Sequence, residues 1–246
     1  MFLSAAWYYF AVSTPRDSKF TNSAEVEHIE NGMAEVEEKK EIAPWGNFVK
    51  SSQFWALGIQ YFAVDYIMFV FLAWLPLYLV EAQNFSLQKM GVAAAFPWAA
   101  LCACVIGSGY VSDKLVGAGV PKHKARTLFG VAGLISCCVT LYLGAMATTP
   151  TMNVLWLTLS LGSLGLSFSA SWGVCNDIGG RFSGSVSGWM NFWGNVGGVL
   201  APIVTAWIAT NYGWQMAILV TSAMAVIGVL AWFAVKPDIP LVIRKQ

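Results

Sequence analysis

The chain has 246 residues, of which 57% are hydrophobic and only 11% charged, with a formal net charge of +1 at pH 7. Soluble domains carry about 25% charged residues, so this chain lacks the charge to cover a water-facing surface, and its near-neutral balance excludes the basic footprint of a nucleic-acid binder. The apolar residues also fall in long blocks, which overrides the one or two soluble domains that length alone would allow.

In chain order, residues 1–12 are apolar but too short to span a bilayer, and no basic residue precedes Tyr8 as a signal peptide would need. Residues 1–14 read as the end of a helix whose beginning is missing. Residues 15–50 read as a polar connecting loop rich in glutamate: Glu25, Glu27, Glu30, Glu35, Glu37, Glu38 and Glu41. Asn22 with Glu25 makes a helix-capping pair, so a short surface helix is expected there; otherwise the acidic run is a solvated loop.

A bilayer core takes about 20 apolar residues as a helix. Six segments qualify: 54–80, 90–111, 125–147, 152–175, 184–210 and 214–235. The links between them are short and polar or bear Pro and Gly, as hairpins between antiparallel neighbours do. The fold class is therefore an all-α membrane protein, a six-transmembrane-helix bundle over residues 51–237 in contact with lipid, followed by a tail at 238–246. Basic residues set the orientation. With the 15–50 loop in the cytoplasm, 13 of the 14 Lys and Arg lie on that side and Lys89 alone lies outside. This predicts a multi-pass protein of the cell (inner) membrane with both termini cytoplasmic.

Polar groups inside the bilayer are costly unless they face protein or water, so each is a site candidate. Asp65 is the one mid-segment acid, with Gln60 and Tyr61 about one turn earlier and Tyr61 at i−4 on its face. It is either a packing group, neutral or hydrogen-bonded to a neighbour, or a cavity-lining acceptor or proton-carrying carboxylate. In the fifth segment Gly184, Gly188, Asn191, Asn195, Gly198 and Pro202 recur every three or four residues. The glycines would admit a close neighbour, Pro202 would bend the helix, and the asparagines are either ligands or interhelical glue. The fourth carries Ser160, Ser163, Ser167 and Ser171, ending beside Trp172; membrane serines mostly bond their own backbone or a neighbour. The third and sixth segments carry few polar groups, which predicts that the first, fourth and fifth face a wet cavity and the other two face lipid.

Nothing points to catalysis, a metal or a cofactor. The cysteines, Cys102, Cys104, Cys137, Cys138 and Cys175, contain no C-x-x-C pair and read as packing residues. His28 and His123 lie in separate polar stretches read as loops, so no serine or cysteine has a base to activate it. Asp113 and Asp177 lie at segment ends and are not a paired acid and base. No phosphate-binding G-x-x-x-x-G-K-[ST] loop is present.

The link between the second and third segments reads Gly109-Tyr-Val-Ser-Asp113-Lys114, then Lys122-His-Lys124-Ala-Arg126. It resembles the G-x-x-x-D-[RK] motif of the major facilitator superfamily. Gln60-Tyr-Phe62, Trp74-Leu-Pro-Leu-Tyr-Leu-Val80 with Ser86-Leu-Gln-Lys-Met-Gly91, and Asn176-Asp177 leading to Gly188-Trp-Met-Asn191-Phe-Trp-Gly-Asn195 are similar to its anion:cation symporter branch of sialin-like and sugar-acid permeases. The resemblance covers nearly the whole chain and implies the half-bundle of that fold, the C-terminal half, from a truncated product, a gene fragment or a separately encoded half. By the same resemblance Gln60 and Asn191 contact substrate; Tyr61, Asp65, Trp172 and Asn195 are added as substrate-site candidates from the polar residues read above. Gly109, Asp113, Lys114, Arg126, Asp177 and Arg181 would form the gating loop, with Asp113 near a helix N-terminus and a basic partner. Asp65 departs from the asparagine more usual in the family. The resemblance implies a small organic anion as substrate, a proton or sodium as coupling ion, and a partner in the form of an N-terminal six-helix half that holds the anion-pairing arginine and proton-coupling acids. The reading is a secondary transporter half working by alternating access and inactive alone. The alternatives are a homodimeric six-helix passive pore and a non-transporting fragment.

Overall fold

Helical hydrogen bonding satisfies every backbone polar group within the segment, which is what an apolar run in lipid requires, and each of the six apolar runs is a long helix. The computed structural model describes residues 2–34 and 42–241. Glu35, Glu37, Glu38, Glu41, Lys39, Lys40, Arg244 and Lys245, used above for the acidic run and the orientation, lie outside the described residues. Contacts divide the chain into two units, Met1–Ala43 and Pro44–Gln246.

The first unit holds α1 (Phe2–Phe10), a single 3-10 turn at Pro15–Asp17, and α2 (Ser23–Ala34). The Glu25 N–H donates to Asn22 Oδ1 at 2.9 Å, so the cap expected from sequence starts α2. His28 therefore lies in a helix and not in a loop. The Arg16 guanidinium donates to both Glu30 oxygens at 2.5 and 2.6 Å; the pair is solvent-exposed and adds little.

The second unit holds α3 (Trp45–Phe48), α4 (Ser52–Glu81), α5 (Leu87–Gly117), α6 (Lys122–Ala145), α7 (Pro150–Gly179), α8 (Ser183–Tyr212) and α9 (Trp214–Trp232). Sequence signals set the starts. The Lys89 N–H donates to Ser86 Oγ at the head of α5, and the Met152 N–H donates to Thr149 Oγ1 at the head of α7, with Pro150 in the first helical turn. His123 belongs to the first turn of α6, again a helix where a loop was expected. α7 and α8 are joined by a single 3-10 turn, Gly180–Phe182. The chain reverses at Gly180, whose φ of +50° suits a residue without a side chain. Gly179 packs on Val186, and Cys175 Sγ meets Met190 Sδ at 3.4 Å, pairs equidistant from the turn as in an antiparallel hairpin.

The helices pack in the order α8, α4, α9, α6, α7, α5, and α7 also touches α8 and α4. Lipid is as apolar as leucine, so close packing holds such helices together. An added Cβ on Gly133 of α6 would lie 2.7 Å from Ser163 O, and one on Gly197 of α8 would lie 2.5 Å from Phe62 O. The glycine stripe of α8 is thus only partly an approach face. Gly184 and Gly188 have nothing within 4 Å, whereas Gly194, Gly197 and Gly198 meet α4. α8 stays helical through Pro202, whose carbonyl accepts from Trp74 Nε1 at 3.1 Å. The serines of α7 behave as expected: Ser160, Ser163 and Ser171 donate to carbonyls one turn back, and Ser167 Oγ accepts from the Trp232 indole at 3.3 Å.

Both flanks of the bundle are tied in. Phe48 is fully buried against Phe54 and Phe182, so the unit begins before residue 51. Beyond α9, the Gln53 amide donates to Ile239 O at 2.9 Å and accepts from the Lys236 N–H at 3.1 Å. The Leu241 N–H donates to Ile178 O at 2.9 Å, and His123 pairs with Asp238. Desolvation would raise the Asp238 carboxyl, but the hydrogen bonds from His123 outweigh it and hold it below the usual carboxylate range. These contacts, with Arg126, Asp113 and Asp177, mark one end of the bundle as its basic end. At the opposite end the Asn153 amide donates to Tyr78 Oη at 2.6 Å and to Gly144 O at 2.9 Å, knotting α4, α6 and α7.

Candidate functional site

Three of the six expected substrate residues meet where α4 packs on α7. Gln60 is fully buried, and the Ser171 hydroxyl reaches its Oε1 at 3.1 Å as well as Ser167 O at 2.7 Å. The Gln60 Nε2 has no hydrogen-bond partner among the described residues. The Trp172 indole N–H donates to Tyr61 Oη at 2.9 Å, the two rings standing edge-on at 90° with centroids 6.1 Å apart. Trp172 itself is exposed, so the pair links the buried core to the open flank of α7.

Asp65 is 4% exposed and lies in the α4–α8 seam, not on an open surface. It faces Gly194: a Cβ there would collide with Asp65 Oδ2 and come within 2.7 Å of the Tyr61 ring. Tyr61 and Asp65 therefore share a face, as their spacing indicated. The other carboxyl oxygen, Oδ1, has no hydrogen-bond partner among the described residues.

Asn191 and Asn195 are exposed, and the Asn195 amide donates to Asn191 O at 2.8 Å. Trp189 and Trp193 pack against Phe54, Trp55 and Gly58 of α4. Residues two apart on a helix point about 200° apart, so Asn191 lies on the flank of α8 opposite Trp193. The structure does not bring the asparagines into hydrogen-bond contact with Gln60, Tyr61 or Trp172.

The expected gating residues form a second cluster at the basic end. Arg126 Nε donates to Asp177 Oδ2 at 2.9 Å, and its Nη1 donates to Asp113 Oδ1 at 2.8 Å and Ser112 Oγ at 2.9 Å. Lys122 Nζ stands 3.0 Å from Asp177 Oδ1. Two carboxylates thus face two cations, and the ends of α5, α6 and α7 are joined. The guanidinium lies flat on Gly173, where a Cβ would sit 2.8 Å from Cζ. Gly109 brings α5 close to α7, its added Cβ 3.0 Å from Ser169 Oγ. Lys114 lies over the Tyr110 ring and Arg181 over the Phe182 ring. Sequence reasoning missed Ser112, Gly173 and the Asn153 knot; an amide inside an apolar run was the available signal for Asn153.

A family model described as Major Facilitator Superfamily matches residues 1–202. The chain belongs to the major facilitator superfamily. The D-galactonate transporter of Escherichia coli is 30% identical over 237 residues, covering 92% of this chain and 54% of that protein. The hexuronate transporter of Bacillus subtilis is 30% identical over 71% of this chain and 42% of its own length. The chloroplastic ascorbate transporter of Arabidopsis thaliana is 28% identical over 92% of this chain and 42% of that protein. These relatives agree with the anion:cation symporter branch to which the motifs pointed, and they are named as transporters, not enzymes. This superfamily chain spans about half the length, or less, of the curated relatives it matches, between 38% and 54%. A solved structure of a bacterial homologue of the human drug peptide transporters PepT1 and PepT2 superposes with a TM-score of 0.55 over 74% of this chain and 41% of that one, at 15% identity. That likeness concerns the fold alone, and it agrees with an all-α, multi-pass half-bundle.

Proposed function

We propose that this chain is the C-terminal half of a secondary transporter for organic anions, sugar acids foremost, working by alternating access with proton or sodium coupling. The names of the relatives, galactonate and hexuronate transporters among them, support the substrate class. The observation that carries the rest is the chemistry of the bundle: its interior offers amides, an indole and hydroxyls, while every Lys and Arg among the described residues falls near helix ends or between helices. A carboxylate brought into a low-dielectric site needs a cation or strong donors. Gln60, Tyr61, Trp172, Asn191 and Asn195 suit the hydroxylated tail of a sugar acid, and the charge would come from an N-terminal six-helix partner half, with substrate between the two.

In this reading the exposed flank of α7 and α8 faces water and the partner, and α6 and α9 face lipid. Asp113, Arg126 and Asp177 join helix ends whose spacing changes as the halves rock, with Gly109, Lys114 and Arg181 in the same gating segment. The excess of basic residues on one side supports an inner-membrane protein with both ends in the cytoplasm. The test is uptake of labelled D-galactonate or D-glucuronate into cells lacking their own sugar-acid permeases. Cells with this chain alone are expected to match empty cells, and co-expression with a six-helix N-terminal half of a galactonate transporter should restore uptake. No rescue by any such half would overturn the proposal. Gradient-independent flux through the chain alone, with dimers in mild detergent, would favour the homodimeric pore.

A further inference from the structure

Asp65 stands out among the buried groups. It is the one acid in the middle of the bundle, and one of its oxygens lacks a partner among the described residues. Among the described residues no cation pairs with it. α8 faces it with Gly194 and has no titratable side chain except Tyr212 at its far end. α9 contains no titratable side chain at all. α4 itself supplies Tyr61 and Tyr66, and α7 brings Cys175 near Tyr61. The charged groups of α5, Lys89, Asp113 and Lys114, and Asp177 of α7 sit near helix ends. An ionised carboxylate buried without a cation costs far more than a neutral carboxyl group in the same place.

We propose that Asp65 is a proton-binding site, protonated while α8 is seated on α4 and losing its proton to water only when α8 draws away at Gly194. The geometry explains the linkage. Asp65 Oδ2 lies against Gly194 of α8, where a side chain would collide with it, and the residue is 4% exposed, so opening that seam admits water to the carboxyl. Release breaks the carboxyl O–H bond, the proton passes to entering water, and the carboxylate left behind is hydrated in the opened seam. Protonation thereby favours the closed seam, and the same contact reads proton occupancy as helix position. As a coupling device this rests on the transport reading above; as a proton site it does not. One proton taken up would balance the single charge of a sugar-acid anion.

The test uses the purified full chain in lipid nanodiscs and needs no transport. Infrared difference spectroscopy at about neutral pH should show a protonated-carboxyl band that shifts in deuterium oxide and is absent in Asp65→Asn, whose amide has nearly the same shape. Raising the pH should remove the band in the wild type. Over the same range, amide hydrogen exchange around Gly194, corrected for its intrinsic pH dependence, should lose protection in the wild type and stay constant in Asp65→Asn. A wild-type spectrum with no Asp65-dependent band at neutral pH overturns the proton site. A band that titrates while α8 protection stays constant overturns the linkage to α8. Either result leaves the uptake experiment free to succeed.

Discussion

Replacing Arg126 with alanine should cost the folded chain about 3 kcal/mol, measured by thermal or denaturant unfolding in mild detergent. The side chain is largely buried and holds two carboxylates and a hydroxyl from two other helices. The two aspartates do not contribute equally. Asp113 is 69% exposed at its side chain and keeps its hydration, whereas Asp177 is 9% exposed and would be left with Lys122 alone. The loss therefore sits at Asp177, and Asp113→Asn should cost less than about 1 kcal/mol. Arg126→Lys should recover only part, because an ammonium cannot reproduce the planar fork that bridges two carboxylates while lying on Gly173. An Arg126→Ala protein as stable as the wild type would show that the cluster does not hold α5, α6 and α7 together.

Gly197→Ala and Gly133→Ala should each cost about 1–3 kcal/mol although each adds one methyl group. At Gly197 the new carbon meets Phe62 O at 2.5 Å, and at Gly133 it meets Ser163 O at 2.7 Å and Ser167 N at 2.8 Å. These are backbone atoms that cannot rotate away, so α8 must leave α4, or α6 must leave α7. Gly107→Ala and Gly188→Ala are the controls, since nothing lies within 4 Å of either position. There alanine's better helix propensity, worth up to about 1 kcal/mol, should leave stability unchanged or raised. The measurement is the melting temperature of all four variants in one detergent. Equal melting temperatures would mean that the seams are looser than the structure shows.

The sequence carried what depends on one helix at a time. The six spans follow from runs of apolar residues, α2 from the Asn22 cap, and the serine bonds of α7 from hydroxyls that reach the carbonyl one turn back. The Arg126 cluster was partly legible, because Asp113 and Arg126 lie close in sequence, in the last turns of α5 and the first turns of α6 and not in a loop. What depends on neighbours was not legible. The spacing of Gly184, Gly188, Asn191, Asn195, Gly198 and Pro202 makes a true stripe on α8, but a stripe does not say where another helix approaches, and only its Gly198 end meets α4 closely. Gly194 and Gly197, off that stripe, carry the seam. Ser112 and Gly173 became part of the Arg126 cluster through packing between helices. His123 was read as a loop residue, although Pro121 just before it is also a helix-start signal.

The account rests on the flank of α8 that carries Asn191 facing water and not lipid. In a cysteine-free background in native membranes, Asn191→Cys and Asn195→Cys should react with a charged, membrane-impermeant thiol reagent. Phe192→Cys, at nearly the same depth but about 100° around the helix, should stay unlabelled, as should Ile203→Cys on the outer side. Equal labelling of Asn191→Cys and Phe192→Cys, or labelling of Phe192→Cys alone, would contradict the account.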